Sequence, residues 1–491
     1  MTKAENEIKA EACVPENFRK DAFYRIPRYQ RPYTWSKDEV LKLLVDVYKY
    51  YRTSFDSKGS PNCTSRKFIG AMILIKDTSD PHSSTTIFDV IDGQQRLTTL
   101  HISFYAISLR LVGLVREFLE AYAKIPDNAG SKKRIITPLN IAMTFTLNRA
   151  KNAGELVYRY ADGNFQPLLF REDSDGELTE EELVDLGIAE KKPSSYASDT
   201  PLAFKNLARL FKTRETFEGN PGAIVCNWNE GILNLPDCPK PSWSGTYQNA
   251  FEAVSEFLTV VESGLTEESI SSGKSGAVGK KRSCQQLLED EDISSEVSIS
   301  MDDCLRWLEK VYNKNRFELN KIKDAFDAVK SLGTSPEIER CLRILKRIMR
   351  LSLFKEFLAR NVSFVSITCS THEALDIFQT VNTAGKPLTC IETFLPEAYR
   401  LIERCSLNDD KDKTFINGKT LWGAMSLEGL LKGINDLCSL AISLKPSCIP
   451  EIVTMFALVY NGKKCGSSVL DQRRYLTSSF RDIVADLSAV E

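Results

Sequence analysis

The sequence predicts an α+β protein in which a few strands lie beside a larger number of helices. Two apolar, β-branched runs, at residues 68–75 and 85–91, have the length and composition of strands. Long segments around them repeat apolar residues at spacings of three and four, which is typical of amphipathic helices. At 491 residues the chain exceeds one ordinary hydrophobic core, so more than one domain is expected.

The N-terminal part predicts an extended segment, a helix, two strands and a long second helix. Prolines stiffen residues 26–35, and Ser36 with Glu39 fits the capping box of the helix that follows. The strand at 85–91 ends at a turn signal, Asp92-Gly93. The long helix after it contains an apolar stretch at 102–119 that charged residues interrupt, so we interpret it as a core helix and not as a membrane span.

Helices dominate the rest of the sequence. The pattern is helical from Pro138 to about Tyr160 and again over most of 301–360, whereas 165–170 and 361–369 suit strands. Residues 263–298 are polar and contain no aromatic side chain, which predicts a mobile insertion. We therefore divide the chain into a core at 1–135, a mainly helical region at 136–360, a strand–helix segment at 361–400 that completes the core, and a helical region at 401–491.

Composition excludes several classes of function. A net charge of −2 argues against a generally basic nucleic-acid binder but does not exclude a local basic groove. The 13 cysteines include no C-x-x-C pair, so zinc ribbons and thioredoxin-type sites are not expected, and scattered cysteines suit a reducing compartment. Residues 1–16 are polar and unlike a signal peptide. We expect a cytoplasmic protein that does not cross a membrane.

The most informative part of the sequence is residues 88–100, where a predicted strand, a turn and a helix follow one another. Its polar members are Asp92, Gln94, Gln95 and Arg96, grouped around Gly93. The first turn of a helix has N–H groups without intrahelical partners, and the helix dipole there favours an anion. A carboxylate, two amides and a guanidinium at this place predict a phosphate and metal site. The alternative is a solvated polar first turn, which explains Gly93 but not the clustered functional side chains.

Three motifs that stand far apart in the chain carry a family resemblance. They are Ile26-Pro27-x-Tyr29-Gln30-Arg31-x-Tyr33-x-Trp35, Val90-Ile91-Asp92-Gly93-Gln94-Gln95-Arg96-Leu97-Thr98-Thr99-Leu100, and Ala374-Leu375-x-Ile377-Phe378-x-x-Val381-Asn382-x-x-Gly385-x-Pro387-Leu388-Thr389. In this order they resemble the N-terminal domain of GmrSD-type, modification-dependent Type IV restriction endonucleases. The resemblance covers residues 18–394, with an insertion in the middle.

The resemblance implies a ParB/sulfiredoxin-like core with large helical additions, in a nucleotide-dependent sensor or regulatory component of restriction of modified phage DNA. It implies an NTP and Mg²⁺ as cofactors. Asp92 would hold the metal, Gln94 or Gln95 would orient the attacking water, and Arg96 would neutralise charge on the phosphoryl oxygens. The further nucleotide or phosphate contacts that it implies are Tyr29, Gln30, Arg31, Gly93, Thr98, Asn382 and Gly385. We expect Asn382 and Gly385 to lie near the Asp92–Arg96 turn.

The sequence departs from the family at two places. Relatives often add a C-terminal HNH nuclease domain, which needs histidine, but the last of the three histidines here is His372. We expect that module to be absent, truncated or on a separate HNH subunit, so that this chain alone does not cleave DNA efficiently. Ala384 stands where many relatives carry Arg. Two alternatives stay open: a ParB-like DNA nuclease acting through the same motif, and a non-catalytic nucleic-acid-binding module.

Overall fold

A computed structural model describes the larger part of the chain. The described residues are 8–17, 22–27, 30, 33–53, 66–77, 86–126, 131–161, 164–171, 245–263, 316–369, 389–391, 394–395, 397–398, 401, 433–434, 448–462 and 464–488. The chain divides into two compact units. The first unit comprises Met1–Ile26 and Tyr33–Cys369, and the second comprises Pro27–Pro32 and Ser370–Glu491.

The first unit is built around a mixed six-stranded sheet. Its strands are β1 (Lys9–Cys13), β2 (Ala22–Ile26), β3 (Lys67–Lys76), β4 (Thr86–Asp92), β7 (Leu169–Arg171) and β8 (Val362–Cys369). Their spatial order is β1-β8-β3-β4-β2-β7, and β5 (Tyr158–Ala161) forms a separate hairpin with β6 (Asn164–Pro167). Strand β8 pairs antiparallel with β1 and parallel with β3, so two distant parts of the sequence meet in the middle of the sheet.

Helices pack beside this sheet and beside one another. In the described part of the first unit they are α1 (Lys37–Thr53), α2 (Gln94–Ala123), α3 (Ser131–Gly154), α4 (Gly245–Ser263), α5 (Arg316–Lys330) and α6 (Pro336–Arg360). The second unit contains α7 (Ile449–Asn461) and α8 (Val469–Ser488), and in it Phe394 packs edge-on against Phe480 of α8. The prediction of an α+β protein with a large helical content is confirmed. The more specific ParB/sulfiredoxin-like core stays a prediction.

Helix α2 is the buried centre of the first unit. It contacts α3, α4 and α6, and most of its apolar side chains are buried, with Phe104, Leu111 and Phe118 fully so. By length and composition alone α2 could cross a membrane, but 83% of its most apolar window is buried inside the protein. Burial in the core therefore accounts for its apolar sequence, and the interpretation of residues 102–119 as a core helix is confirmed.

Most predicted elements lie where the sequence pattern placed them. The capping box is present: the Ser36 N–H donates to Glu39 Oε2 at 2.7 Å, and the Glu39 N–H approaches Ser36 Oγ at 3.4 Å. The helix predicted from Pro138 to about Tyr160 begins earlier, at Ser131, and ends at Gly154. Its last predicted residues instead form β5, because a glycine ends the helix and the Tyr-rich segment after it pairs with β6. Residues 264–298 of the predicted insertion lie outside the described residues.

Candidate functional site

The turn between β4 and α2 is made by a glycine in a left-handed conformation. Gly93 has φ 87° and ψ 1° and caps the N-terminus of α2 without a side-chain hydrogen bond. A Cβ atom added to it would lie 3.2 Å from the Ala71 carbonyl oxygen and 3.3 Å from Met72 Cα. Both the positive φ and the close approach of β3 favour glycine here.

Arg96 connects this turn to the neighbouring strand β3. Its Nη1 donates to the Ile69 carbonyl oxygen at 2.8 Å and its Nη2 to the Ala71 carbonyl oxygen at 2.9 Å. Nη2 also lies 3.6 Å from Asp92 Oδ2, and the Arg96 and Asp92 side chains are 28% and 17% exposed. The two predicted charged groups are therefore together and partly accessible. Arg96 is also a structural residue, because it holds two carbonyl groups of β3.

A second glycine, which sequence reasoning did not single out, makes room for Arg96. Gly70 lies in β3 with φ 115°, and a Cβ atom there would come within 1.6 Å of Arg96 Nη1. The register of β3 against β8 shifts between Phe68 and Ala71, so Gly70 lies at an irregularity of the strand. The available signal was an isolated glycine inside an otherwise apolar strand, which often marks a bulge.

The other polar residues at the start of α2 are buried, and two of them, Gln95 and Thr99, hold the segment before α1. Gln94, Gln95 and Thr98 are all buried. Gln95 Oε1 accepts a hydrogen bond from the Thr34 N–H at 2.9 Å. One turn later, Thr99 Oγ1 lies 2.8 Å from the Tyr33 hydroxyl. These contacts fix residues 33–34 against α2, and the Tyr33 side chain packs into the core.

Burial also affects the Tyr33 hydroxyl. Desolvation raises the pKa of Tyr33 well above its ordinary value, and the hydrogen bond with Thr99 only partly opposes that effect. Tyr33 therefore stays protonated at physiological pH, and it stacks on Tyr247 of α4 with the ring centroids 5.2 Å apart. This tyrosine is part of the support of the turn and not a titrating group of the site.

The cavity next to the turn is small. It has a volume of about 10 Å³ and is lined by residues of β3, by Gly93, Arg96, Leu97 and Leu100, and by Phe364 of β8. Such a volume holds about one water molecule. A nucleotide is therefore too large for this cavity. It could contact the turn only on its outer face.

A metal at this turn would have one protein carboxylate. Among the residues that the structure describes, no three His, Cys, Asp or Glu side chains are grouped so that they could hold a metal ion. Mg²⁺ commonly binds through one or two carboxylates, with substrate phosphates and water as its other ligands. The partly exposed Asp92 therefore suits a metal that arrives with a nucleotide better than a resident metal centre.

The remaining predicted contacts are only partly described. Gln30 belongs to the second unit, is buried, and donates its N–H to the Pro27 carbonyl oxygen at 3.0 Å. Tyr29, Arg31, Asn382 and Gly385 lie outside the described residues. Their roles, and the expected proximity of Asn382 and Gly385 to the turn, stay predictions.

Comparison with known protein families gives one match. The family described as the N-terminal domain of the GmrSD restriction endonuclease matches residues 15–234. This range includes the first two sequence motifs and the whole Asp92–Arg96 turn. The family is named after a restriction endonuclease, and the match covers less than half of the chain. No curated protein is similar enough to the chain to be reported as a relative.

Proposed function

We propose that this chain, which carries a GmrSD-type N-terminal domain in residues 15–234, is a nucleotide-dependent sensor or regulatory component of a modification-dependent DNA restriction or phage-defence system. The domain match supports the restriction context. The nucleotide part of the proposal depends on one observation: Asp92 and Arg96 lie on either side of the left-handed Gly93 at the start of a long helix. Such a turn presents backbone N–H groups and the positive end of the helix dipole to a phosphate.

In this proposal the triphosphate lies over the outer face of the turn. Asp92 holds Mg²⁺ together with phosphate oxygens, and the bound metal neutralises part of the phosphate charge. Arg96 stabilises the charge that develops on the transferred phosphoryl group, and its two hydrogen bonds to β3 carbonyl groups fix the guanidinium in advance. Gln94 or Gln95 orients the attacking water, for which its buried carboxamide has to turn toward the outer face when the nucleotide binds. DNA is the substrate of the system, and the chain works in the cytoplasm.

Phosphate release tests the catalytic claim. The purified chain is incubated with Mg²⁺ and each of the four common NTPs, beside the Asp92→Asn variant. We expect at least one NTP to be hydrolysed by the unchanged chain and about two to three orders of magnitude more slowly by the variant, because a charge-stabilising group is lost. The matched control is Asp46→Asn on α1, a 53% exposed carboxylate paired with Lys67, which should leave hydrolysis unchanged.

The same preparations separate the proposal from its alternatives. We expect the chain alone not to cut modified phage DNA with any nucleotide. Mg²⁺-dependent cutting that Asp92→Asn abolishes would instead support a nuclease, and nucleotide binding without any phosphate release would support a non-catalytic module. Unchanged hydrolysis by Asp92→Asn, with normal thermal melting, would refute the assigned site.

A further inference from the structure

A second polar surface of the first unit lies along α3. Its described lining includes Asn140, Thr144, Asn148, Arg149 and Asn152 of α3 and Lys321 of α5, and its volume is about 360 Å³. We call it the α3 groove. It shares no described lining residue with the small cavity next to Gly93. Its volume is within the range of small-molecule sites, at the lower end.

The chemistry of the α3 groove suits a ligand with both a base and a phosphate. The carboxamides of Asn148 and Asn152 each offer donor and acceptor atoms, which can pair with the edge of a nucleobase. Arg149 and Lys321 supply two positive charges, and the described lining residues include no carboxylate. Phosphate is the anionic group that such guanidinium and ammonium groups bind most commonly in nucleic acids.

Arg149 is held in a defined position at the edge of the groove. Its Nη1 contacts Glu356 Oε1 at 2.5 Å, and its guanidinium lies 4.9 Å from the centre of the Phe145 ring. The same Glu356 carboxylate also pairs with Lys355 at 3.0 Å and with Arg360 at 3.3 Å. One buried carboxylate thus contacts three cations, and its contact with Arg149 fixes that guanidinium at the edge of the groove.

The basic residues of α3 also favour an anionic ligand in the groove. Its 24 residues include the basic side chains Lys132, Lys133, Arg134, Arg149 and Lys151 and no acidic residue. The chain as a whole is slightly acidic, with a net charge of −2, so this helix is a local exception. The end of α3 that lines the groove thus carries Arg149, with Lys151 nearby in the sequence, and this is the local basic feature that the overall charge did not exclude.

We infer that the α3 groove binds a nucleotide unit, either as a free nucleotide or as one residue of a nucleic-acid strand. The phosphate lies at Arg149 and Lys321, and the base faces the carboxamides of Asn148 and Asn152. This site is separate from the Asp92–Arg96 turn, and the inference does not depend on hydrolysis at that turn.

Fluorescence anisotropy of the full chain tests the inference with two probes, a short fluorescein-labelled single-stranded DNA and a fluorescently labelled ATP. Each probe is titrated into the unchanged chain and into Asp92→Asn. Binding that is lost in Asp92→Asn is assigned to the turn, and binding that remains is assigned to the α3 groove. We expect Lys321→Glu to weaken binding of at least one probe by about tenfold or more. For the DNA probe, Lys321→Ala should reduce the slope of log affinity against log salt by about 0.7, as expected for one lost phosphate contact.

The control variants distinguish binding at a defined site from nonspecific attraction between basic side chains and an anionic probe. Lys330→Glu makes the same charge reversal at an exposed position on the same helix, α5, and should bind as the unchanged chain does. A double change, Asn148→Ala with Asn152→Ala, should weaken binding without altering the salt slope, because it removes base contacts only. All variants should keep the original melting temperature.

The two probes identify the source of the nucleotide unit: an effect on the DNA alone indicates a strand, and an effect on ATP indicates a free nucleotide. The inference is refuted if the unchanged chain binds neither probe. It is equally refuted if Lys321→Glu and the asparagine double variant bind normally, or if Lys330→Glu loses as much affinity as Lys321→Glu.

Discussion

At the scale of single residues, Arg96 and two glycines form one structural arrangement. Gly93 turns the chain into α2, and Gly70 leaves the space in β3 that the Arg96 guanidinium occupies. The guanidinium in turn satisfies two carbonyl groups where the register of β3 is irregular. A charged residue proposed for phosphate chemistry is therefore also held by, and needed for, the sheet next to it.

Gly70→Ala should destabilise the protein. The new Cβ atom would overlap Arg96 Nη1, and alanine would have to adopt a positive φ. We expect a loss of at least about 2 kcal/mol in the free energy of unfolding, from backbone strain and from displaced hydrogen bonds to a charged group. Urea denaturation measures this loss, and Gly113→Ala is the matched control.

The control and a double variant make this prediction specific. At Gly113, inside α2, an added Cβ atom would meet only Arg110 Nη1, at 3.9 Å, so alanine should stabilise the helix by about 0.5–1 kcal/mol. Combining Gly70→Ala with Arg96→Ala should cost less than the sum of the two single changes, because each already removes the same contacts. Strict additivity would show that the two residues do not interact as described.

His101 should make the stability of the protein depend on pH. It is fully buried in α2, and desolvation lowers its pKa to about 3. The unfolded chain takes up a proton near pH 6.5, so the unfolded state is favoured as the pH falls below that value. From pH 7 to pH 5 the free energy of unfolding should fall by about 2 kcal/mol through this group.

Chemical denaturation at pH 7 and at pH 5 checks the contribution of this histidine. His101→Gln should remove most of that difference, whatever its effect on stability at pH 7. His82→Gln, in a stretch of sequence rich in Ser and Thr, is the matched histidine control and should keep the original dependence on pH. Equal pH dependence in the unchanged chain and in His101→Gln would contradict the assignment.

At the scale of secondary-structure elements, an ion cluster joins three helices. Glu262 of α4, with 2% side-chain exposure, accepts from Arg110 of α2 at 2.6 Å and from Arg347 of α6 at 2.7 Å. Both arginines also contact Glu117 of α2, at 3.0 and 2.8 Å. Burial lowers the pKa of Arg110, but its hydrogen bonds and the two carboxylate charges outweigh this and raise the pKa above its ordinary value.

Glu262→Gln should therefore be strongly destabilising. It leaves two arginines without their shared buried carboxylate, and loss of one member of a buried ion pair typically costs about 3–5 kcal/mol. The matched control is Glu252→Gln on the same helix, because Glu252 is 47% exposed and pairs with Lys37 at the surface. That change should cost less than about 1 kcal/mol. Thermal or urea unfolding measures both losses of stability. Equal losses in Glu262→Gln and Glu252→Gln would contradict the role of the cluster.

The sequence predicted the secondary-structure elements better than the contacts between them. Strands β3, β4 and β8, the capping box at Ser36 and the start of α2 follow from local patterns, and the structure contains all of them. Patterns of this kind do not say which carbonyl groups a long side chain reaches. The contacts of Arg96 with β3 and of Gln95 with Thr34 depend on how distant segments pack, and only the structure shows them.

At the scale of the whole molecule, the sheet order also was not available from the sequence. The pairing of β8 with β1 and β3 joins segments about 290 and 350 residues apart, and nothing in their composition specifies these partners. The candidate site was predictable as a group of residues, because a strand, a glycine and a helix N-terminus are adjacent in the sequence. The small size of its cavity and the burial of its amide side chains could not be predicted, because both result from the packing of distant segments.

The central claim is that the turn at the start of α2 receives the phosphates of a nucleotide, and hydrogen–deuterium exchange tests it most directly. The control is the start of α6, where Ser335 already caps the first turn by accepting from the Ile338 N–H at 3.2 Å. We predict that adding an NTP with Mg²⁺ slows exchange in a peptide covering residues 86–100, leaves the α6 peptide unchanged, and has no effect on either peptide in Asp92→Asn. Nucleotide that binds the unchanged chain without slowing exchange in residues 86–100 would contradict the claim.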